Sequence, residues 1–198
     1  EISCSLVGSE MCIRDRSGTA KGTKLSSIDS IETRPTLDRV KEALFNIIQN
    51  KLEDSIVLDL FAGSGAIGIE CISRGATKAY FCEKSHQATR MIYENLDRTR
   101  LKDKAIVINK DYEKCLKQLS NDKIKFNIIY IDPPYKANIA VNATEKILLL
   151  NLLQKEGIII IETDEKEREL KNLTQIDVEV FDIRKYGRAN LIFLKRKE

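Results

Sequence analysis

Asp132, Pro133, Pro134 and Tyr135 stand in a row. They combine one acid, two residues with no backbone N–H and one aromatic ring. The prolines fix the backbone and remove two donors, so the run is an array of acceptors: the Asp132 carboxylate and the Pro133 carbonyl. Such an array grips the two hydrogens of an amino group. An amine conjugated to a base ring is a poor nucleophile because its lone pair is delocalised. Holding both hydrogens favours a pyramidal nitrogen whose lone pair can be aimed at an electrophile, which is catalysis by position and charge. Tyr135 can stack on the base. The bland alternative is a strand-end turn, where Asp and Pro are common.

A second constellation is Asp59-Leu60-Phe61-Ala62-Gly63-Ser64-Gly65-Ala66-Ile67-Gly68. Gly63, Gly65 and Gly68 satisfy G-x-G-x-x-G between a predicted strand and a predicted helix. Glycines there allow a tight turn and close approach of a ligand to the backbone. The pattern fits a dinucleotide or S-adenosylmethionine (SAM), and a lone turn remains the simplest alternative. Glu83 follows about 20 residues after Gly63, at the end of the next strand, where a carboxylate takes the hydroxyls of a ribose. Asp111 follows the third strand, where it can reach an adenine amine or cap a helix. Asp59 separates the two ligands. An acid ahead of the glycines suits the methionine ammonium of SAM and repels a pyrophosphate. The loop has no Lys, so it is not a P-loop.

The elements that position these groups alternate. Strands are predicted at Ile56–Leu60, Lys78–Cys82, Ala105–Asn109, Phe126–Ile131 and Gly157–Glu162. Helices are predicted from Gly65 to Ser73, Ser85 to Thr99, Tyr112 to Leu119, about 141 to 154, and Glu165 to Asn172. This spacing supplies the crossovers that parallel strands need. Arg34-Pro35-Thr36 opens an earlier helix, with Thr36 as its cap, and Leu37, Val40, Leu44, Ile47 and Ile48 fall on one face. Ile176–Ile183 and Asn190–Lys195 read as a terminal antiparallel pair joined by a loop over Arg184–Arg188. The expected fold is α/β: a Rossmann-like, seven-stranded, mostly parallel sheet with helices on both faces and a C-terminal hairpin. In such a sheet strands one and four flank the switch point, so the Asp132 run faces the glycine loop across the cleft.

Composition sets outer bounds. The chain has 198 residues, 33 Lys+Arg against 30 Asp+Glu, and a net charge of +3, which permits a nucleic-acid partner without demanding one. One His rules out a multi-His metal site, and no metal is expected. Five cysteines without a C-x-x-C pair indicate neither a disulfide framework nor a zinc site, and Cys71 and Cys82 read as core hydrophobes in a reducing cytoplasm. No apolar run has the length of a membrane helix. Residues 1–16 match nothing downstream. SLVGSEMCIRDR looks like a translated sequencing adaptor, so 1–16 is expected to be non-native and disordered, 17–33 a surface loop or strand remnant, and 34–198 the single domain.

The chain resembles class I SAM-dependent methyltransferases that act on exocyclic amines of nucleobases. Within them it is similar to the bacterial RsmD family of 16S rRNA (guanine-N2)-methyltransferases. The carriers are Ser17-Gly18, Lys21 to Leu25, the RPT-x-DRVKEALFN block from Arg34, the DLFAGSGAIGIE stretch, Glu83-Lys84, DPPY and Tyr186-Gly187. DPPY is shared with DNA adenine-N6 methylases; the block from Arg34 is the more specific signal. The resemblance implies that Asp59, Phe61, Ala62, Gly63, Ser64 and Gly65 line the methionine end of SAM. It implies that Glu83 and Lys84 serve the ribose, and that Asp111 and Tyr112 border the adenine. Asp132, Pro133, Pro134 and Tyr135 would hold the guanine, with Arg34 and Thr36 at the cleft. The family begins with a short strand that adaptor-like residues replace here. Arg184, Lys185, Arg188 and Lys195–Lys197, with Lys21, Lys24, Arg34 and Arg39, could form one phosphate-binding rim. The expected partner is 16S rRNA or an assembling small subunit, met by a cytoplasmic monomer. DNA adenine-N6 methylation and a non-catalytic RNA-binding or assembly role stay open as alternatives.

Overall fold

The computed structural model describes residues 13–14, 19–20, 24–25, 34–134 and 138–197, with backbone alone for Ile13, Arg14, Lys24 and 34–38. Seven strands form one sheet: β3 (Ile56–Asp59), β4 (Lys78–Cys82), β5 (Ala105–Ile108), β6 (Phe126–Ile131), β7 (Leu153–Thr163), β8 (Val178–Tyr186) and β9 (Ala189–Arg196). Their order is β5-β4-β3-β6-β7-β9-β8. All neighbours are parallel except β7–β9 and β8–β9. The order reverses between β3 and β6, which makes the switch point.

Side chains of the strands alternate between two cores. Val57, Phe81, Ile128, Ile160 and Phe193 enter the core on one face. Leu58, Cys82, Ile129, Ile161 and Leu194 enter the core on the other. A period of two with apolar residues on both faces demands cover on both sides. The helices supply it. The first core is closed by α1 (Arg34–Ile48), α2 (Ala66–Ser73) and α3 (His86–Thr99). The second is closed by α4 (Tyr112–Asn121), α5 (Ile139–Leu149) and α6 (Lys166–Leu173).

α1 is fastened to α2 by charge as well as by Val40, Leu44 and Phe45. Lys41 Nζ lies 2.6 Å from Glu70 Oε2, both side chains being buried. Arg74 Nε donates to Glu70 Oε1 at 2.9 Å, and its guanidinium sits 4.6 Å from the Phe45 ring centre.

Several boundaries differ from the sequence reading. Helix α1 begins at Arg34, so Thr36 lies inside the first turn and is not the cap. Pro35 is tolerated there because the first turn's N–H groups have no helical partner anyway. Helix α5 stops at Leu149 because Asn151 takes a left-handed φ of 52° and Leu152 N–H closes on Ile147 O at 3.0 Å. Strand β7 therefore starts at Leu153. Arg184–Tyr186 continue β8 instead of looping, since Gly187 (φ 62°) and Arg188 reverse the chain between the paired Tyr186 and Ala189.

The expectation of disorder over 1–16 fails at Ile13–Arg14. These residues form β1, antiparallel to β2 (Lys24–Leu25), with Ile13 opposite Leu25. Adaptor-like residues thus stand where the resemblance calls for a short strand. Leu25 is buried in the first core, which gives the pair an anchor. Among the described residues no helix is long and apolar enough to cross a membrane, and Cys71, Cys82 and Cys115 are free and buried.

Candidate active site

The carboxyl ends of β3, β4 and β6 converge on one cleft. The chain leaves β3 at Asp59 and turns through Phe61–Gly65 into α2. Leu60 N–H donates to Tyr130 O and Ala62 N–H to Cys82 O, both at 3.0 Å, which ties the loop to strands on either side. Each glycine has its own reason. Gly63 (φ 53°) and Gly65 (φ 79°) adopt the left-handed region. A Cβ on Gly63 would meet nothing within 4 Å, so this backbone faces open space. A Cβ on Gly68 would stand 2.3 Å from Phe81 Cε1, so the third glycine permits close helix–strand packing.

Asp59 is buried, and its Oδ2 accepts the Gly68 N–H at 3.1 Å. Burial pushes its pKa up to about 7; the Gly68 N–H opposes that shift and the neighbouring Glu83 adds to it. The protein's own carboxylate therefore fills the anion site at the start of α2. A pyrophosphate would find that N–H already taken by an acid where a dinucleotide fold needs free N–H groups, whereas a ligand bearing an ammonium would favour the ionised form of Asp59 and be attracted to it.

Glu83 organises the cleft from β4. Its Oε2 accepts Gly63 N–H at 2.9 Å and its Oε1 accepts Ser85 N–H at 2.8 Å. Each carboxylate oxygen has a second lone pair, so an oriented Glu83 can still accept two vicinal hydroxyls. Lys84 is exposed beside it. Asp111 caps α4, its Oδ1 accepting Lys114 N–H at 3.1 Å, and that bond holds its carboxyl below the ordinary range. Phe61 and Tyr112 pack ring against ring, centres 5.5 Å apart, and form an apolar wall between the glycine loop and α4.

Two asparagines escaped the sequence reading. Asn95, buried in α3, donates from Nδ2 to Ser64 O at 2.9 Å and pins the middle of the glycine loop. Asn109 donates to Glu83 O at 2.8 Å and to Thr89 Oγ1 at 2.9 Å, joining the ends of β4 and β5 to α3. A single sequence offers no signal for either. Asn95 is one polar residue in an amphipathic helix, and Asn109 reads as a strand end.

Across the switch point, Asp132, Pro133 and Pro134 leave β6. Asp132 is open to solvent on one side and walled by protein behind. Desolvation by that wall raises its pKa well above the ordinary carboxylate value, and Glu162, Asp59 and Asp164 raise it further. Glu162 accepts a hydrogen bond from the Tyr130 hydroxyl. Strands β3, β6 and β7 thus each bring acid to this end of the sheet.

Tyr135 and Lys21 lie outside the described residues, as do the side chains of Lys24, Arg34 and Thr36. Arg39 is exposed on α1, and Arg188 is exposed in the β8–β9 turn, at the sheet end that carries Thr163. The single basic rim expected from residues 184–198 does not form. An antiparallel hairpin puts Arg184, Lys185 and Arg188 near its turn and Lys195–Lys197 at the far end, opposite Val178 and Glu179. Arg184 is further engaged by Asp182 at 3.0 Å.

Comparison with known proteins gives a consistent picture. The sequence profile of the family described as conserved hypothetical protein 95 (Cons_hypoth95) matches residues 13–195. YlbH of Bacillus subtilis (strain 168), named as a candidate rRNA methyltransferase, is 34% identical over 91% of this chain and 97% of its own length. Ribosomal RNA small subunit methyltransferase D of Haemophilus influenzae is 36% identical over 80% of this chain and 81% of its own. Among solved structures, yhhF of Escherichia coli, named as a candidate methyltransferase, superposes with a TM-score of 0.80 at 26% identity, covering 94% of this chain and 98% of its own.

Proposed function

The chain belongs to the conserved hypothetical protein 95 family of RsmD-like, SAM-dependent methyltransferases, and from that premise we propose that it methylates the exocyclic N2 amine of a guanine in small-subunit (16S) rRNA. The observation that carries the reading is the seat of Asp132 and Pro133 at the end of β6, beside the glycine loop that leaves β3. The names of its relatives supply the class of acceptor.

The residues of the cleft fit SAM. Gly63 presents backbone to open space, Glu83 offers oriented acceptors for a ribose, and Asp59 offers a buried acid for an ammonium. Tyr112, with Phe61 packed against it, offers an apolar wall for the adenine, next to Asp111. When bound, SAM supplies a methyl group activated by its sulfonium.

The rest falls to the protein. The Asp132 carboxylate and the Pro133 carbonyl accept the two N2 hydrogens and orient the lone pair of the guanine nitrogen. That nitrogen gains positive charge as its new bond forms. The ionised form of Asp132 meets that charge, with Glu162, Asp164 and Asp59 near it. Desolvation, with the same neighbours adding to it, gives Asp132 a raised affinity for protons, which suits it to take the one that the nitrogen sheds. Tyr135 would stack on the base, and a flipped or loop nucleotide is needed to reach the cleft.

The test is transfer of a labelled methyl from SAM, followed by nucleoside analysis, with 16S rRNA, partly assembled small subunits and unmethylated DNA offered in parallel. N2-methylguanosine from the ribosomal substrates is expected. Asp132→Ala should abolish transfer and leave SAM affinity nearly intact. Label in DNA as N6-methyladenine, or full turnover by Asp132→Ala, would overturn the reading.

A further inference from the structure

The other end of the sheet carries a groove that the methyl-transfer cleft does not explain. It has a volume of about 850 Å³ and is bounded by Lys51, Lys125, the start of β7, Phe181 and Lys195–Lys197. Lys125 precedes β6 and Asp132 follows it, so the groove lies about 20 Å from the cleft at the rise of an extended strand.

Two irregularities of the sheet shape it. Strand β6 pairs Phe126 with Leu153 and Ile128 with Ile158, two steps against five, so β7 carries three extra residues there. The excursion pushes Gln154, Lys155 and Glu156 out as a lip. It turns on Gly157, where a Cβ would meet Leu153 Cδ1 at 2.8 Å and Phe126 O at 2.9 Å. On the opposite wall β8 skips a partner between Val180 and Asp182. The skipped residue is Phe181. A bulge re-aims its side chain, and the ring, 43% exposed on the edge strand, lines the groove.

The charge is one-sided. Six of the lining residues are Lys or Arg and one, Glu156, is acidic. Lys195 is engaged by Glu179 at 3.2 Å, and Arg196 donates to Leu148 O at 2.8 Å. Lys51, Lys125, Lys155 and Lys197 are exposed and make no ion pair among the described residues. Four uncommitted ammonium groups around a trough attract a polyanion, and an exposed ring on its opposite wall is a stacking surface for an unpaired base.

We propose that this groove binds the sugar-phosphate backbone of RNA, with an unpaired base stacked on Phe181, and so holds the substrate at a second place remote from the reaction. The choice of RNA over an acidic protein segment rests on the rRNA reading above and on the exposed aromatic ring. A folded RNA is large enough to reach both ends of the sheet.

The experiment compares wild type with Lys125→Gln/Lys155→Gln/Lys197→Gln, with Phe181→Ala, and with a control of equal net charge, Lys104→Gln/Lys117→Gln/Lys123→Gln. Each is titrated with transcribed 16S rRNA across a salt series, and methyl transfer, SAM affinity and Tm are measured beside it. The groove variant should bind rRNA at least tenfold more weakly than the control. Its log Kd against log salt should be shallower by about 2, three contacts at about 0.7 each on single-stranded RNA. Phe181→Ala should lose about fivefold or more. SAM affinity and Tm should hold. Equal rRNA affinity and salt slope in groove variant and control would overturn the proposal. Binding of polyglutamate that only the groove variant loses, with rRNA binding unchanged, would overturn it in favour of an acidic protein. If wild type binds rRNA through the groove but transfers no methyl to it, the substrate reading falls and the groove stands.

Discussion

Gly68→Ala puts a number on the helix–sheet contact beneath the cleft. The new Cβ would stand 2.3 Å from Phe81 Cε1, 2.7 Å from Cζ and 3.0 Å from Cδ1. Ordinary contact begins near 3.4 Å, so ring or helix must shift by about 1 Å. The ring cannot swing away: Phe81 is fully buried and packs in the first core with Ile69 and Ile92. Overpacking of this kind costs about 1–3 kcal/mol, and the extent of the overlap argues for the upper half. Alanine recovers about 1 kcal/mol of helix propensity. The net loss is then about 1–2 kcal/mol, or a fall in Tm of about 2–8 °C for a chain of this size. SAM binding should weaken as well, because the Gly68 N–H holds Asp59. Urea denaturation of the two single variants and the double variant with Phe81→Leu gives the coupling. Phe81→Leu alone leaves a void, and the double variant should be more stable than the sum of the singles by about 1 kcal/mol or more. Wild-type stability in Gly68→Ala, or strict additivity in the cycle, would refute the reasoning.

Two further predictions concern charge. Asp59 has a pKa of about 7 in the fold against 3.8 for the free side chain. The folded state therefore binds more protons than the unfolded chain between those values, and ligand-free stability falls as pH rises through that window. Asp59→Asn keeps an acceptor for Gly68 and removes the penalty. It should match wild type near pH 4 and exceed it by up to about 4 kcal/mol at pH 8, at 1.36 kcal/mol per unit, while losing SAM affinity. Melting curves over pH 4–9 that run parallel for the two proteins would contradict this. Glu70→Ala leaves the buried Lys41 ammonium without its carboxylate and should cost about 3 kcal/mol in chemical denaturation; a loss under 1 kcal/mol would show that α1 is held by apolar packing alone.

The sequence determined the local chemistry. Apolar strand runs and the strand–helix rhythm foretold a parallel sheet covered on both faces. Glycine spacing foretold a tight strand-to-helix turn, and a run of acid and prolines after the fourth strand foretold an acceptor site. Those signals are local: a side-chain period of two or a left-handed φ is dictated within a few residues. Element ends were less legible, since a single left-handed residue, Asn151 or Gly187, moved a boundary by several positions. What lay beyond local signal was set by registers between distant segments. The basic residues near the C-terminus look like one patch along the chain, but an antiparallel hairpin carries its two halves to opposite ends of the sheet. Ile13–Arg14 looks foreign, yet it pairs with Lys24–Leu25, whose Leu25 is buried. Asn95 and Asn109 became parts of the cleft only when α3 and β5 came to rest beside Ser64 and Glu83. The basic groove needed two offsets in strand pairing. Each of these depends on which backbone stands opposite which, and only the closed sheet decides that.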